Sequence, residues 1–186
     1  VNVLEGLNVD VLGVNCSLGP IELTPIINDI LKVATVPVMI QPNAGLPCLV
    51  EGKTCYNMDI DTFVSKSIEH VKNGVRIIGG CCGTTPEFIA RLKKALPEKI
   101  TLTKPVVATR VSSGNQTVEF GHHIVVCGER LNPTGKKKLK LALKEERYDE
   151  LIVEAIKQDQ AGAHVLDVNV GLPGIDEVST MKKVIK

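Results

Sequence analysis

The sequence predicts an α/β fold built on parallel strands. Short apolar runs rich in Val and Ile recur at 9–14, 36–40, 75–78, 124–127 and 164–168, and patterns of helical period fill most of the intervals between them. Strand, helix, strand at this spacing calls for right-handed crossovers and a parallel sheet. A third pattern concerns chemistry: polar or thiol side chains stand just past the runs, at Asn15-Cys16, Gln41-Pro42-Asn43, Cys81-Cys82, 129–132 and 167–169. No G-x-G-x-x-G follows the first run, so a dinucleotide site is not indicated. Sites assembled from several strand ends on one face favour a (β/α)8 barrel.

Each helix has its own signals. Thr24-Pro25 opens the first, with Thr24 as N-cap and Pro25 at the first helical position; its apolar stripe is Ile26, Ile27, Ile30, Leu31 and Ala34. A second starts near Asp61, carries Phe63, Val64, Ile68 and Val71, and stops at Gly74. In the third, Thr84-Thr85-Pro86-Glu87 resembles a capping box, with Ile89, Leu92 and Leu96 facing inward. A fourth repeats Tyr148, Leu151, Ile152, Ala155 and Ile156 before Gly162.

From residue 97 to Gly121 the pattern changes. This stretch holds Pro105 and Ser112-Ser113-Gly114-Asn115 with little helical periodicity, and reads as a connection. Some three βα units precede it, and two strands with one long helix follow. Neither side reaches the roughly 250 residues of a complete barrel. The expectation is α/β with two incomplete (β/α)8 TIM-barrel domains in tandem. Residues 1–97 would close one barrel, 98–121 would connect, and 122–186 would open a second.

Composition narrows the function. A net charge of +1 gives no case for nucleic acid or a membrane surface, and 3% aromatics with no Trp argues against base-stacking platforms. No run of 18 apolar residues appears, so no membrane-spanning helix is expected. The first residues, Val1-Asn2-Val3-Leu4-Glu5, lack the basic stretch of a signal peptide and look like a chain met in mid-sequence. Six cysteines in a chain rich in regular apolar segments suit a reduced, cytoplasmic compartment better than a disulfide scaffold.

The cysteines carry the sharpest signal. Adjacent residues on a regular strand point to opposite faces, so Cys81 and Cys82 would not share a metal ion there. Gly79, Gly80 and Gly83 free the backbone to turn and aim both sulfurs at one centre, with Cys16 as third ligand. A strained vicinal disulfide and a closed site with Cys48, Cys55 or a histidine as fourth ligand are the alternatives. Cys48, Cys55 and Cys127 otherwise fill small apolar spaces. His70, His122, His123 and His164 follow no metal spacing.

Gly13-Val14-Asn15-Cys16, Gln41-Pro42-Asn43-Ala44-Gly45-Leu46-Pro47 and Gly79-Gly80-Cys81-Cys82-Gly83-Thr84-Thr85-Pro86 resemble the zinc barrel of homocysteine S-methyltransferases. Gly128-Glu129-Arg130-Leu131-Asn132-Pro133-Thr134-Gly135 and the stretch from Leu166 through Asp167, Asn169 and Gly171 to Glu177 resemble the opening of a pterin-binding barrel. The two in this order are similar to the cobalamin-dependent methionine synthase family, over essentially the whole chain.

The resemblance implies methyl transfer from methyltetrahydrofolate, through cobalamin, to homocysteine. It implies Zn2+ on Cys16, Cys81 and Cys82, and pterin contacts from Glu129, Asn132, Asp167 and Asn169. Cobalamin would be bound by a module outside this chain. Three Cys ligands leave zinc one open position, where a substrate thiol loses its proton. A cap or turn role is the plainer account of each Asn and Asp, and a solvated helix face that of the run Lys136-Lys137-Lys138-Leu139-Lys140. The chain alone is expected to be inactive. The rival classes are a homocysteine methyltransferase that uses another methyl donor, and a structural or redox cysteine protein.

Overall fold

A computed structural model describes residues 1–100, 107–114 and 116–186. The chain divides into two compact units, Val1–Thr117 and Val118–Lys186. The α/β class holds in both, with parallel strands joined by helices.

The first unit runs α1 (Asn2–Glu5), β1 (Leu12–Asn15), α2 (Thr24–Val33), β2 (Val38–Gln41), β3 (Pro47–Val50), β4 (Lys53–Tyr56), α3 (Ile60–Asn73), β5 (Ile77–Ile78), α4 (Pro86–Ala95) and β6 (Arg110–Ser113). Strands β1, β2 and β5 form a parallel sheet in that order, with Asn15 opposite Gln41 and Ile40 opposite Ile78. Their C-terminal ends therefore lie side by side. Leu12, Val38 and Ile40 from the sheet pack on Leu23, Ile27 and Ala34 from the α2 region, with Val75 completing this core. A second cluster joins α3 to α4 through Phe63 and Phe88, whose rings meet edge to face with centroids 5.2 Å apart.

Capping and facing differ in detail from the sequence expectation. Helix α2 begins one residue early: Thr24 is already helical, Pro25 follows it, and the Thr24 hydroxyl donates back to Pro20 O at 3.2 Å. Helix α3 is capped by Asp59, whose carboxylate accepts from Thr62 N at 2.8 Å, and ends at Gly74 with φ 131°. Thr85 makes no side-chain cap on α4, so the expected capping box is absent there. That helix buries Phe88 and Leu92, while Ile89 and Leu96 are 42% and 38% exposed. An aromatic at 88 captured the inward face because it reaches Phe63.

Residues 47–56, left without regular structure by the periodicity, form the antiparallel β3–β4 hairpin. Glu51 and Gly52 make its turn at φ 51° and 74°, the left-handed pair that a two-residue hairpin needs. His70 is buried on α3, and its Nε2 lies 2.7 Å from Pro20 O. A carbonyl only accepts, so Nε2 carries the proton and the ring ties α3 to the loop before α2.

In the 98–121 stretch, β6 and β7 (Gln116–Glu119) form a two-stranded sheet; Pro105 and Asn115 lie outside the described residues.

The second unit holds β8 (Cys127–Leu131), α5 (Lys137–Lys144), α6 (Asp149–Gln160), β9 (Val165–Val168) and α7 (Glu177–Val184). The expected strand at 124–127 lies further along: Ile124 is 87% exposed and precedes β8, whose inward anchor is Leu131. Two helices, not one, link β8 to β9, which pair in parallel with an irregularity between Gly128 and Leu131. The core gathers Leu131, Leu139, Ala142, Leu143, Leu151, Val170 and Leu172. Ile152 and Ile156, expected inward, are half exposed on α6. The lysine run starts α5 and is largely solvated, with Leu139 turned into the core. Among the described residues no helix is long and apolar enough to cross a membrane.

Candidate metal centre

Three loops leaving the ends of β1, β2 and β5 converge on one point. Cys16 follows β1, and its N–H donates to Gln41 O at 3.0 Å, continuing the ladder one step past the strand. The chain then turns sharply. Cys16 and Ser17 both adopt the left-handed region, at φ 65° and 63°, and Leu18 N closes back on Cys16 O at 2.7 Å. Two successive non-glycine residues in that region store backbone strain, which structures tolerate mainly where a side chain must be aimed.

The cysteine pair is stitched to the loop after β2. Cys81 N donates to Pro42 O at 2.8 Å, Ala44 N to Cys82 O at 2.9 Å, and Cys82 N to Asn43 Oδ1 at 3.1 Å. Asn43 is 1% exposed, and its own N–H donates to Leu18 O at 3.0 Å, so this one residue joins all three loops. Thr84 does not cap the following helix. Its hydroxyl and its N–H both donate to Cys81 O, at 2.7 and 3.1 Å, closing the cysteine turn.

Two of the glycines, Gly80 and Gly83, leave no room for side chains. A Cβ on Gly80 would meet Thr84 Oγ1 at 2.6 Å, and one on Gly83, at φ 79°, would meet Tyr56 Cβ at 2.3 Å. Tyr56, at the end of β4, thus packs directly on the turn.

The outcome is a trio. Cys16 Sγ lies 3.7 Å from Cys82 Sγ across 66 residues of sequence, Cys81 Sγ lies 3.9 Å from Cys82 Sγ, and the three sulfurs fall within 4.8 Å of one another. Four tetrahedral sulfurs on zinc, at about 2.3 Å each, stand about 3.8 Å apart, so the donor set fits that ion. The thiols are electrostatically unequal. The Ser17 backbone N–H, with Cys82 and Cys81 beside it, holds the Cys16 thiol below the usual range. Burial pushes the Cys81 thiol up, and neighbouring Cys16 adds to that. The Tyr56 phenol is raised, first by its hydrogen bond to Cys82.

The remaining cysteines stand apart from this arrangement. Cys48 and Cys55 are half-buried partners across the β3–β4 hairpin. Cys127 is exposed on β8, and so fills no apolar space, contrary to expectation. Sequence reasoning missed Tyr56 and the anchoring part of Asn43. The signal for Tyr56 was the hairpin that delivers it.

In the second unit, Asp167 on β9 and Asn169 just past it line a cavity of about 550 Å³ with Gly171, Glu177, Met181 and Lys182. Asn132 follows β8, next to the paired Leu131 and Val168, and Asn169 N donates to Leu131 O at 2.8 Å. Both carboxamides close turns: Asn132 Oδ1 accepts from Thr134 N at 3.0 Å, and Asn169 Oδ1 from Gly171 N at 2.7 Å. Glu129 lies 3.8 Å from Lys136 Nζ and is largely exposed. A larger cavity of about 620 Å³ lies against Arg130, Lys136, Lys137, Glu154 and Lys157. Its charges are partly internally matched, as in Arg130 Nε to Glu154 Oε1 at 2.6 Å, so size alone does not make it the site.

The homocysteine S-methyltransferase family matches residues 1–96. The chain is 34% identical to the methionine synthase of Mycobacterium tuberculosis (strain ATCC 25618 / H37Rv), over 96% of this chain and 15% of that protein. It is 32% identical to the methionine synthase of Mycobacterium leprae (strain TN), over 96% of this chain and 16% of that protein. The chain thus spans about 15% of the length of these curated relatives. With the family match covering just over half of its residues, all three converging loops among them, the chain belongs to the homocysteine S-methyltransferase family.

Proposed function

We propose that the first unit activates the thiol of homocysteine for methylation, within a cytoplasmic enzyme of the methionine synthase type. The observation that carries this is the sulfur trio, with S···S separations of 3.7 and 3.9 Å at the ends of β1 and β5. Cys16, Cys81 and Cys82 would hold zinc, which supplies an open position where an incoming thiol is stabilised as thiolate. The chain's own residues prepare that chemistry. The Cys16 thiol is held below the usual range by the Ser17 backbone N–H, while Asn43 and Thr84 fix the backbone of the pair so that the sulfurs converge. Three soft thiolate donors from Cys16, Cys81 and Cys82 would leave such an ion a modest Lewis acid.

The second unit is proposed to open the barrel that binds methyltetrahydrofolate. Asp167 and Asn169 line a strand-end cavity, and Asn132 and Glu129 stand at the neighbouring strand. Carboxylate and carboxamide groups at barrel strand ends suit the amide and amine donors of a reduced pterin. Residues 1–97 and 122–186 would then be parts of two tandem barrels. Cobalamin, held by a module beyond these residues, would carry the methyl group between them. The matched methionine synthases align across both units, which favours reading the two units as parts of one such enzyme.

The test uses the full-length protein that carries this chain, supplied with cobalamin. Methionine formation from methyltetrahydrofolate and homocysteine is expected, and is lost in Cys82→Ala. Methylation of homocysteine from a different donor, with methyltetrahydrofolate ignored, would remove the pterin assignment and leave the thiol site standing. Full activity in Cys82→Ala would remove the thiol site.

A further inference from the structure

The β3–β4 hairpin places Cys48 opposite Cys55, in the register that also pairs Leu49 with Thr54 and Val50 with Lys53. Facing residues of an antiparallel pair have Cα atoms about 4.5–5.5 Å apart, inside the roughly 4.4–6.8 Å that a disulfide spans. Both side chains leave the same face of the hairpin, because directly opposed residues do. The Cys48 thiol already turns toward the partner strand, with Sγ 3.3 Å from Cys55 O. Both cysteines are free and half-buried, so solvent reaches them. The left-handed Glu51-Gly52 turn holds the register.

We infer that Cys48 and Cys55 form a reversible disulfide site, separate from the metal trio, that responds to small-molecule disulfides. The thiolate of one cysteine attacks a small disulfide, whose S–S bond breaks to release one small thiol and leave a mixed disulfide. The second cysteine attacks the protein sulfur of that mixed disulfide. The Cys48–Cys55 bond forms, the second small thiol leaves, and the two protein thiol protons end on the two released thiols. The protein dithiol is oxidised by two electrons and the small disulfide is reduced by two. Cys127 cannot follow this course within its strand pair, because its register partner is Val165. Solvent access to both half-buried sulfurs leaves the bond open to attack by a small thiol, which reverses the exchange.

The experiment incubates the 186-residue chain with oxidised glutathione, blocks remaining thiols under denaturing conditions, and maps tryptic peptides without reduction. Trypsin cuts after Lys53, between the two cysteines, so the bond joins peptide 33–53 to peptide 54–66. The expected product is that linked pair, two hydrogens lighter than the reduced peptides together and separated by dithiothreitol. Cys55→Ser is expected to stop at glutathione attached to Cys48. Unmodified Cys48 and Cys55 in the wild-type chain would overturn the inference. So would glutathione on each of them without a link, or either of them bonded to Cys81, Cys82 or Cys127. The wild-type map stands whether or not the variant folds.

Discussion

Asn43 Oδ1 accepts the backbone N–H of Cys82 at 3.1 Å, joining the loop after β2 to the turn that aims the cysteine pair. The carboxamide is 1% exposed, so no water replaces it without rearrangement. Asn43→Ala leaves that N–H unpaired in a closed site, at a cost of about 1–3 kcal/mol of stability. A metal ligand whose supporting hydrogen bond is lost also binds about 10–100-fold more weakly. Thermal melts of the metal-free chain and zinc competition against a chelator read the two effects separately. Unchanged zinc affinity would show that Asn43 does not position Cys82.

Gly83 and Gly52 both sit at positive φ, 79° and 74°, but in different company. Gly52→Ala meets nothing within 4 Å, so it carries only the left-handed backbone penalty of about 1–2 kcal/mol. Gly83→Ala adds a methyl 2.3 Å from Tyr56 Cβ, and either the cysteine turn or β4 must shift. The expected result is similar zinc affinity in Gly52→Ala and a marked loss in Gly83→Ala, measured by the same competition.

Stability should fall in acid through the α3 cap. The Thr62 backbone N–H, with the Thr62 side chain assisting, holds the Asp59 carboxyl below the usual carboxylate range. A carboxyl lowered by folding contributes stability that is fully present above its unfolded value and lost as pH falls through its folded value. Asp59→Ala is therefore expected to lower the melting temperature at neutral pH. The gap from wild type should close as pH drops below the ordinary carboxylate range. A gap constant with pH would show that the charge contributes nothing.

Burial separates residues that periodicity treated alike. Phe63 is fully buried against Phe88, and Phe63→Ala is expected to cost about 3–5 kcal/mol. Ile152 is 52% exposed, and Ile152→Ser should stay within about 0.5 kcal/mol of wild type in this chain. Denaturant unfolding of the two variants checks the contrast.

The parallel sheet was legible because buried strands read as Val- and Ile-rich runs separated by helical patterns, whereas the order β1, β2, β5 comes from the structure. Cys16, Cys81 and Cys82 were legible because each follows such a run. The hairpin at 47–56 was not, since Pro47, Cys48, Leu49 and Val50 alternate weakly and the Glu51-Gly52 turn is a rarer pair than Asn-Gly. With it went Tyr56. The strain at Cys16 and Ser17 is invisible to pattern, because local propensity disfavours it and only tertiary bonds from Gln41 and Asn43 impose it. Inward faces were misassigned at Ile89 and Ile156, where a neighbouring Phe or a half-open face decides what is covered.

The central claim is that Cys16, Cys81 and Cys82 form one metal site, and zinc content of purified variants tests it most directly. One zinc per chain is expected in the wild type, in Cys48→Ala and in Cys55→Ala. Its loss is expected in each of Cys16→Ala, Cys81→Ala and Cys82→Ala. Zinc retained at full occupancy by Cys16→Ala, or lost from Cys55→Ala, would contradict the account.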